Sequence, residues 1–548
     1  MGSTFFGLNI AKSGLFASQR ALQVTSHNIA NANTEGFSRQ RVDMHAFSPD
    51  SLPSIQGMIG TGVDTDAIKQ IRNEFLDYSF RTENSKMGEW SKKEDILKNI
   101  EAIINEPSES GISKIMDQFY SSLQELNKNP ESLTTRALVR QRAIALTKGL
   151  NNTYSKLEKL QNDTNFELSV AITDINGYAE QISTLNKVIY SSELEGGKAN
   201  DVRDQRNLLL DKMSELVEIN YYEDDQKRFH VSVAGHEIVN HYNHDTLEQT
   251  ERTSKLNDVD TSHLKDLVWS SGSTFTASSG KIKGITEMRD NISGTDKGIP
   301  YYLDKTNEFI DVMGTEINNV HQKGYDLDKN TGTFMFTING MSSSDYKTYL
   351  KTKGFNGGAG VDVTSAVLSG TSSSLTDKEN DKIMKNNIAS IIDNNPNYKG
   401  KSVKLVDDTY LLVDRMKASE VTISSDIEND LNKFEASVSQ DGVPGDGNNA
   451  LKIADVRHNV ELFDWGSPDD FIKSLVSNLG VDAQEATRVK DNQKVMVDSV
   501  TNSKESYSGV SLDEEMASMV QFQHSYNANA KMLTTVDKLL ETIINLVR

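Results

Sequence analysis

The longest regular pattern in the sequence is LNNTYSKLEKLQNDTNFELSVAITDINGYAEQISTLNKVI, residues 150–189. Its apolar residues recur at alternating steps of four and three, which places them on one face of a helix. Ten of the twelve positions in this row are apolar, and Gln161 and Thr164 are the two polar ones. The pattern predicts one long helix in a helical rod. Its predicted coiled-coil core residues are Leu150, Leu157, Leu168, Ile175, Ile182, Leu185 and Ile189.

The flanking sequence extends this rod towards both ends of the chain. Residues 73–220 have the spacing and composition of helices, interrupted at Pro107 and at Gly111. A further interruption is predicted at Asn129 and Pro130, where asparagine would cap a helix and proline would occupy its first turn. The rod is therefore expected to contain several helices joined by short turns.

The second half of the chain differs from the first in its sequence pattern. Residues 228–239, RFHVSVAGHEIV, alternate in polarity on either side of a turn and predict a β-hairpin. Amphipathic helices are predicted over residues 301–322 and 467–503. Between them, residues 325–440 combine glycine- and serine-rich stretches with the strand-like runs SVKLV, TYLLV and SEVTIS. This segment is predicted to be a β-rich inserted domain.

Both ends of the chain carry apolar rows with a seven-residue step, the spacing of helices that pair with other helices. Small residues, Ala11, Ser18 and Thr25, lie beside the N-terminal row, and Asn529 interrupts the second C-terminal row. The spacing is compatible with packing on the chain's own core and with packing between copies. The predicted assembly interface comprises Leu8, Leu15, Leu22, Ile29, Leu512, Met519, Phe522, Tyr526, Leu533, Val536, Leu540 and Ile543.

The predicted fold class is α+β, mainly α, in an elongated multi-domain chain. Its terminal helices form a coiled coil, its rod domain is a long helical bundle with a β-hairpin, and a β-rich domain is inserted. The predicted boundaries are 1–60 for the N-terminal helix and extended segment, 61–324 for the first part of the rod, 325–440 for the insert, 441–508 for the return of the rod and 509–548 for the C-terminal helix.

The composition excludes several classes of protein. There is no cysteine among the 548 residues, which excludes disulfides, thiolate metal sites and cysteine nucleophiles. The formal net charge of −21 argues against a broad surface for nucleic acid or anionic membranes. No apolar run reaches the roughly 18 residues of a membrane span. The first residues lack the basic and apolar regions of a secretory signal, so any export is expected to proceed without a cleaved signal peptide.

Two motifs approach the patterns of metal sites without matching them. In HEIVNHYNH, His236 and His241 are five residues apart, whereas zinc peptidases use histidines four apart on one helical face. DLDKNTGTF begins like a calcium loop with Asp326 and Asp328, but Thr337 stands where a bidentate glutamate is needed. Polar residues near a hairpin and a solvated turn are the favoured interpretations. No catalytic, cofactor-binding or metal residue is assigned, and neither a cofactor nor an enzymatic activity is expected.

Both ends of the chain resemble a known family. Ser13–Gln40 (SGLFASQRALQVTSHNIANANTEGFSRQ) and Ser511–Arg548 (SLDEEMASMVQFQHSYNANAKMLTTVDKLLETIINLVR) are similar to the terminal signatures of flagellar axial proteins, which comprise rod, hook and hook-associated proteins. Within the chain, Asn200–Leu216, Ser279–Asn291 and Ile299–Asp328 resemble the helical region of the hook-associated protein 1 group. The resemblance leaves the predicted insert unmatched.

The resemblance implies a structural subunit of the bacterial flagellum that assembles through its terminal helices at the junction between hook and filament. It also implies secretion by the flagellar type III export apparatus and an extracellular location in the flagellum. The implied partners are other copies of the chain in a ring, the hook protein, a second hook-associated junction protein and an export chaperone at the C-terminal helix. Neither nucleic acid nor a membrane is an expected partner.

Three other interpretations remain open at this stage. Another axial protein, such as a hook or distal-rod protein, would share the ends but carry a β-rich middle in place of the long helical rod. A metallopeptidase on a flagellar scaffold would need a histidine–glutamate motif, and the insert contains no H-E-x-x-H. A secreted adhesin could use a coiled coil for self-association, but the paired terminal signatures argue against it.

We predict that both terminal helices are mobile in the free monomer, because a helix pair with a single seam is only marginally stable on its own. Limited proteolysis of the soluble protein should first cut within residues 1–40 and 510–548, while the helical middle resists. Early cleavage of the middle with both ends intact would contradict this expectation.

Overall fold

The computed structural model describes residues 6–51, 58–106, 108, 111–194, 196–372, 375–398 and 400–547. It is mainly helical with small antiparallel sheets, which confirms the predicted fold class. None of the helices formed by these described residues has the length and apolar character needed to cross a membrane. In chain order the helices are α1 (Phe6–Ala30), α2 (Glu74–Ile104), α3 (Ile112–Lys128), α4 (Leu133–Glu193), α5 (Asn200–Leu216), α6 (Lys281–Asp290), α7 (Ile299–His321), α8 (Ser343–Lys353), α9 (Thr364–Val367), α10 (Asp377–Asp393), α11 (Ser425–Asn429), α12 (Asn448–Asp455), α13 (Pro468–Ser508) and α14 (Leu512–Val547).

The strands form several small sheets, each with antiparallel neighbours. The pairs are β1 with β4, β2 with β3, β9 with β10, and β11 with β15, and the larger sheets have the orders β5-β6-β7-β8 and β12-β14-β13. The hairpin predicted from the sequence is β6–β7, which confirms that prediction. The strands are β1 (Gln40–Ala46), β2 (Asp50–Ser51), β3 (Met58–Ile59), β4 (Val63–Gln70), β5 (Ile219–Glu223), β6 (Phe229–Val233), β7 (His236–Asn240), β8 (Asn243–His244), β9 (Leu247–Glu251), β10 (Lys265–Trp269), β11 (Phe336–Ile338), β12 (Val361–Asp362), β13 (Lys401–Val406), β14 (Thr409–Asp414) and β15 (Val421–Ile423).

The long helix predicted over residues 150–189 is part of α4, which is 61 residues long. Six of the seven predicted core residues in it are buried, and Leu185 is only half-buried. The neighbouring residue, Asn186, is buried instead. Its side-chain nitrogen donates to the His241 carbonyl oxygen at 2.9 Å, and its side-chain oxygen accepts from Arg206. A polar contact with the small sheet therefore replaces apolar packing near the end of α4.

The two polar positions in the α4 row lie where one apolar core ends and the next begins. Leu157 belongs to the first core and Leu168 to the second. Between them, the fully buried Gln161 donates to the Asp260 carboxylate at 3.0 Å and to the Arg289 carbonyl oxygen at 2.9 Å. Its side-chain oxygen accepts from the Thr261 amide at 3.1 Å. One helix thus supports two cores separated by a polar layer.

The predicted interruptions of the helical rod are partly corrected by the structure. Gly111 is the N-cap of α3, and Pro107 lies outside the described residues. Asn129 was predicted to begin a helix, but it is the C-cap of α3, and Ser132 precedes the first residue of α4. The error arises because asparagine is suited to both helix ends.

The segment predicted as a β-rich insert contains strands and helices together. Strands β11–β15 alternate there with α8–α11, and its Phe336 and Val421 belong to the first core beside α4 and α7. Only a small second cluster, with Val403 and Leu412, packs under α9 and α10. A capping box formed by Thr376 and Glu379 precedes α10 and was a local signal for that helix.

We predict that Gln161→Leu lowers the free energy of unfolding by about 1–3 kcal/mol, because it removes the bonds of Gln161 to the buried Thr261 amide and the Arg289 carbonyl oxygen and one of the donors to the Asp260 carboxylate. Denaturant titration followed by circular dichroism measures the change. Gln181→Leu on the exposed face of α4 is the matched control and should stay within about 0.5 kcal/mol. Equal effects of the two substitutions would contradict a special role for the polar layer.

Candidate assembly site

The first and last helices, α1 and α14, lie side by side in antiparallel orientation. A β-carbon on Gly14 would lie 2.8 Å from the side-chain amide of Asn529, so the two backbones approach closely at this point. Fourteen residues further along α1, the Asn28 side chain donates to Glu515 at 3.0 Å, and Glu515 is fourteen residues before Asn529. The two helices therefore share one seven-residue step, and the asparagine that interrupts the C-terminal row faces a glycine.

The buried face of α1 is formed mainly by small residues and not by the predicted leucine row. The four predicted residues, Leu8, Leu15, Leu22 and Ile29, are all half-buried. Small side chains allow two helix backbones to approach closely, as they do at Gly14. The buried residues of α1 are Ala11, Ala17, Ser18, Ala21, Val24, Thr25 and Asn28.

The predicted C-terminal interface residues are also incompletely covered in one chain. Leu512 is 46 % exposed, and the side chain of Ile543 lies outside the described residues. The remaining six are half-buried: Met519, Phe522, Tyr526, Leu533, Val536 and Leu540. Among the described side chains of α14, the one that is buried belongs to Glu515. Pairing within the chain therefore orients the apolar rows without removing them from water.

Further apolar side chains on the helix pair are exposed. Single exposed apolar residues are normal, but here several of them recur along one helix pair. In α1, Phe16 is 53 % exposed. In α14, the residues with exposures between 51 % and 63 % are Met516, Val520, Met532, Leu539 and Ile544.

A polar cluster joins the helix pair at its base. Arg39 donates from Nε to one Glu515 oxygen at 2.7 Å and from a terminal nitrogen to Glu514 at 2.9 Å. The Asn28 side chain, besides binding Glu515, bonds both the amide and the carbonyl oxygen of Gln40, at 3.0 and 2.9 Å. The backbone amide of Arg39 donates to the Ser508 carbonyl oxygen at 2.8 Å. We call this group, Asn28, Arg39, Gln40, Glu514 and Glu515, the junction cluster.

A second set of charged side chains connects this region with the helical body. The Asp204 carboxylate accepts from the Ser38 amide and hydroxyl at 2.9 and 2.7 Å, and the Arg72 guanidinium lies 3.1 Å from it. Burial raises the pKa of Asp204, although its bonds with Ser38 and the charge of Arg72 act in the opposite direction. Asp204 is on α5 and Arg72 lies just before α2, so both helices are tied to the turn that follows α1.

Lysine and arginine side chains hold the end of α13 against α2 and α5. Lys504 lies 2.7 Å from Asp211 and 3.2 Å from Asp77, and Arg81 lies 2.6 Å from Asp211. Burial alone would raise the pKa of Asp211, but the charges of Arg81 and Lys504 outweigh it and lower that pKa below its ordinary value. The ion pairs therefore orient the last turns of α13 just before the chain enters α14.

Sequence reasoning did not assign any of these residues a role in joining the helix pair to the body. They are polar, and the rules that identified the apolar rows pass over polar residues even where, as at Asn28 and Glu515, they keep the seven-residue step. One signal was available, since Arg39 and Glu515 both lie within the terminal stretches that carry the family resemblance.

Halfway along the body, Glu94 joins α2 to α13. Its carboxylate lies 2.9 Å from Lys490 and 2.7 Å from Lys98, and Thr487 donates to it at 3.1 Å. Burial favours the neutral acid, but hydrogen bonds from Lys490, Lys98 and Thr487 outweigh burial and lower the pKa of Glu94 to about 2. The ionised carboxylate thus contributes to the packing of the two helices.

We predict that Glu94 makes the free energy of unfolding dependent on pH between about 4.5 and 2. Its pKa is lower in the folded than in the unfolded chain, so its contribution is present above about pH 4.5 and is lost as the pH falls through about 2. Glu94→Gln should flatten the pH dependence of denaturant unfolding in this window. Glu101→Gln, on an exposed position of α2, is the control, and an unchanged pH profile in Glu94→Gln would contradict the prediction.

The motifs that approached metal sites are engaged otherwise. His236, at the start of β7, lies 2.7 Å from Asp245 and stacks on Trp269, with ring centroids 4.0 Å apart. His241 lies beyond the other end of β7, where its ring packs edge-on against Tyr190. The two histidines are therefore held by different neighbours on either side of one strand.

The loop that begins like a calcium site is neutralised by a lysine. Asp326 accepts from the Asn330 amide at 2.7 Å, and Lys433 lies 3.4 Å from Asp326 and 3.1 Å from Asp328. The expectation of a solvated turn is wrong for Asp326, which is buried. The cause is a long-range contact, because Lys433 approaches from a segment about a hundred residues away.

Potential metal ligands also meet on the β1–β4 ribbon. One ligand atom from each of His45, Asp64 and Asp66 lies within 4.8 Å of the others. His45 and Asp66 are exposed, with His45 Nδ1 3.2 Å from an Asp66 carboxylate oxygen, and the neighbouring Arg20 donates to Thr65. The three possible ligands lie on a surface ribbon, where exposed acidic groups are common without a metal ion.

Three family models match separate parts of the chain. The model described as the flagellar hook-associated protein FlgK helical domain matches residues 97–336. Residues 505–546 match the C-terminal model of the flagellar basal body rod FlgEFG proteins. Residues 8–37 match the flagella basal body rod protein model. The terminal matches coincide with the paired helices α1 and α14, and the central match covers most of the helical body.

Curated relatives match along their whole length. Flagellar hook-associated protein 1 of Bacillus subtilis is 28 % identical over 555 residues, covering 100 % of this chain and 99 % of the relative. The proteins of the same name from Escherichia coli and Salmonella typhimurium are 24 % and 25 % identical, each covering 98 % of this chain and 99 % of the relative. The flagellar hook junction protein FlgK from Burkholderia pseudomallei has a similar fold, with a TM-score of 0.56 at 12 % identity, covering 79 % of this chain and 100 % of that one.

Proposed function

The chain belongs to the family of flagellar hook-associated protein 1, and we propose that this flagellar structural protein forms the junction between hook and filament by self-assembly through α1 and α14. The observation that carries the proposal is the incompletely covered apolar surface of the terminal helix pair. Ten of the predicted interface residues are only half-buried when the two helices pair within one chain.

Assembly would remove this surface from water. Fully burying a large apolar side chain stabilises a structure by roughly 1.5–3 kcal/mol, so covering ten half-buried ones between copies is a substantial driving force. Part of it is offset by the lost freedom of the associating chains. A helix pair with one covered seam and further apolar side chains outside can contact neighbouring copies on several sides, as closed rings require.

The helical body supports a hook-associated role over that of another axial protein. Helices α2–α5 and α7 surround the first two cores, and the helical-domain match begins within α2 and ends in β11. A hook or distal-rod protein is expected to share the terminal helices and to carry a β-rich middle instead. The hook-associated reading accounts for the middle of the chain as well as for its ends.

The proposal includes a route and a set of partners. The protein is secreted by the flagellar type III apparatus and becomes part of the extracellular flagellum. Its partners are further copies of itself, the hook protein, a second hook-associated junction protein and an export chaperone. The chaperone would bind α14, whose exposed apolar residues need a cover before assembly.

We predict that Leu533→Asp abolishes junction assembly while leaving the helical body folded. Leu533 is half-buried on α14, so a charge there would face water in the monomer but would be desolvated between copies. Bacteria carrying this variant should build hooks and secrete unpolymerised flagellin, as should bacteria that lack the gene. Asn527→Asp adds the same charge at an exposed position of α14 and is the matched control. Normal filaments on Leu533→Asp cells would refute assembly through this row.

A further inference from the structure

We infer that the junction cluster is a rigid joint, in which Arg39 and Glu515 act as positioning residues that fix the direction of the terminal helix pair relative to the helical body before assembly. The inference rests on the proposed function only for its biological purpose. The joint itself is a property of the single chain and is tested on the soluble monomer.

The joint depends first on the burial of Glu515. This residue is 2 % exposed, although α14 has no other buried residue among its described side chains. A buried carboxylate is stable only when it is paired and hydrogen-bonded, and Arg39 and Asn28 supply those partners at 2.7 and 3.0 Å. The best-protected contact of α14 is therefore polar and directional, and it occurs in the first turn of the helix.

Three separate segments meet in the junction cluster, and a fourth, the end of α13, binds it through the Ser508 carbonyl oxygen. Asn28 comes from the end of α1, Arg39 and Gln40 from the start of β1, Ser508 from the end of α13 and Glu515 from the start of α14. Hydrogen bonds depend strongly on angle, so a swing of the helix pair about its base would break several of them together. A connection made by a single flexible linker would have no such restraint.

The junction cluster is also connected to the helical body through side chains. Arg39 is next to Ser38, which binds Asp204 of α5 through both its amide and its hydroxyl. Arg72 bridges Asp204 and Asp77, at 3.1 and 2.5 Å, and Asp77 belongs to α2. The base of the helix pair is thus held by side chains that are themselves fixed on two helices of the body.

The joint reduces the set of residues that we expect to be mobile in the free monomer. The turn after α1 and the first turn of α14 are anchored, whereas the apolar rows further along both helices are only half-buried. Protease sites that open early should therefore lie in residues 6–27 and 516–547, and residues 28–40 and 508–515 should remain protected. Each copy would then hold its helix pair in one direction relative to the helical body, even while the ends of α1 and α14 that are far from the junction cluster fray.

Distance measurement between two spin labels tests the joint directly, because the chain has no cysteine of its own. Asp95→Cys on α2 and Asp513→Cys in the anchored first turn of α14 place labels at exposed positions on the helical body and at the base of the helix pair. Pulsed electron paramagnetic resonance of the monomer should give one narrow distance distribution. Arg39→Ala, which leaves the buried Glu515 without its cation, should broaden that distribution at least twofold.

Matched variants separate the joint from general effects. Arg41→Ala removes the same charge two residues away. The Arg41 side chain is 70 % exposed and lies 3.8 Å from Asp43, so this variant should leave the distance distribution unchanged. Glu515→Gln keeps the size of the side chain, removes its charge, and should broaden the distribution to a smaller extent. It serves as the decisive variant if circular dichroism shows that Arg39→Ala loses helix.

Two results would overturn the inference: a distribution in the unsubstituted chain as broad as in Arg39→Ala, or a distribution that stays equally narrow in Arg39→Ala and Glu515→Gln. Filament assembly is scored separately in cells. Normal assembly of Leu533→Asp would refute the proposed function and leave the joint intact, whereas a broad monomer distribution would refute the joint and leave the proposed function untouched.

Discussion

The pairing of α1 with α14 is the constraint on which the rest of the structure depends. Because the two ends of the chain lie together, the helical body has to begin and finish at one place. This is achieved by α2, which leaves the junction, and α13, which returns to it along α2 with contacts such as Glu94 to Lys490 and Asp77 to Lys504. Everything between these helices can extend away from the terminal pair without disturbing it.

Polar layers mark the two places where the architecture changes. Gln161 separates two apolar cores along α4, and the junction cluster separates the terminal helix pair from the body. Apolar contacts tolerate small changes of angle and register, but hydrogen bonds to buried groups do not, so such layers specify one arrangement. Such layers are poor targets for pattern recognition, since helical periods are recognised from apolar residues and the layers are polar.

The parts of the fold that sequence reasoning predicted share a local origin. The long row in α4, the terminal helices, the hairpin β6–β7 and helices α7 and α13 are all visible as periods of 3.6 or two residues. The errors arise where one local signal has two meanings, as for Asn129, or where a distant residue decides, as for Lys433 beside Asp326. Helix α10 was missed because the glycine- and serine-rich context outweighed its capping box.

The sequence by itself determined where the long amphipathic helices lie, which of their residues share a face, and which family the two ends resemble. Only the tertiary structure decided that the terminal helices run antiparallel, that the small residues of α1 and not its leucines form the closest contact, and that Glu515 is buried. The physical reason is the range of the interactions. A helical period is set by bonds between neighbouring residues, whereas the burial of a face depends on what the other end of the chain brings against it.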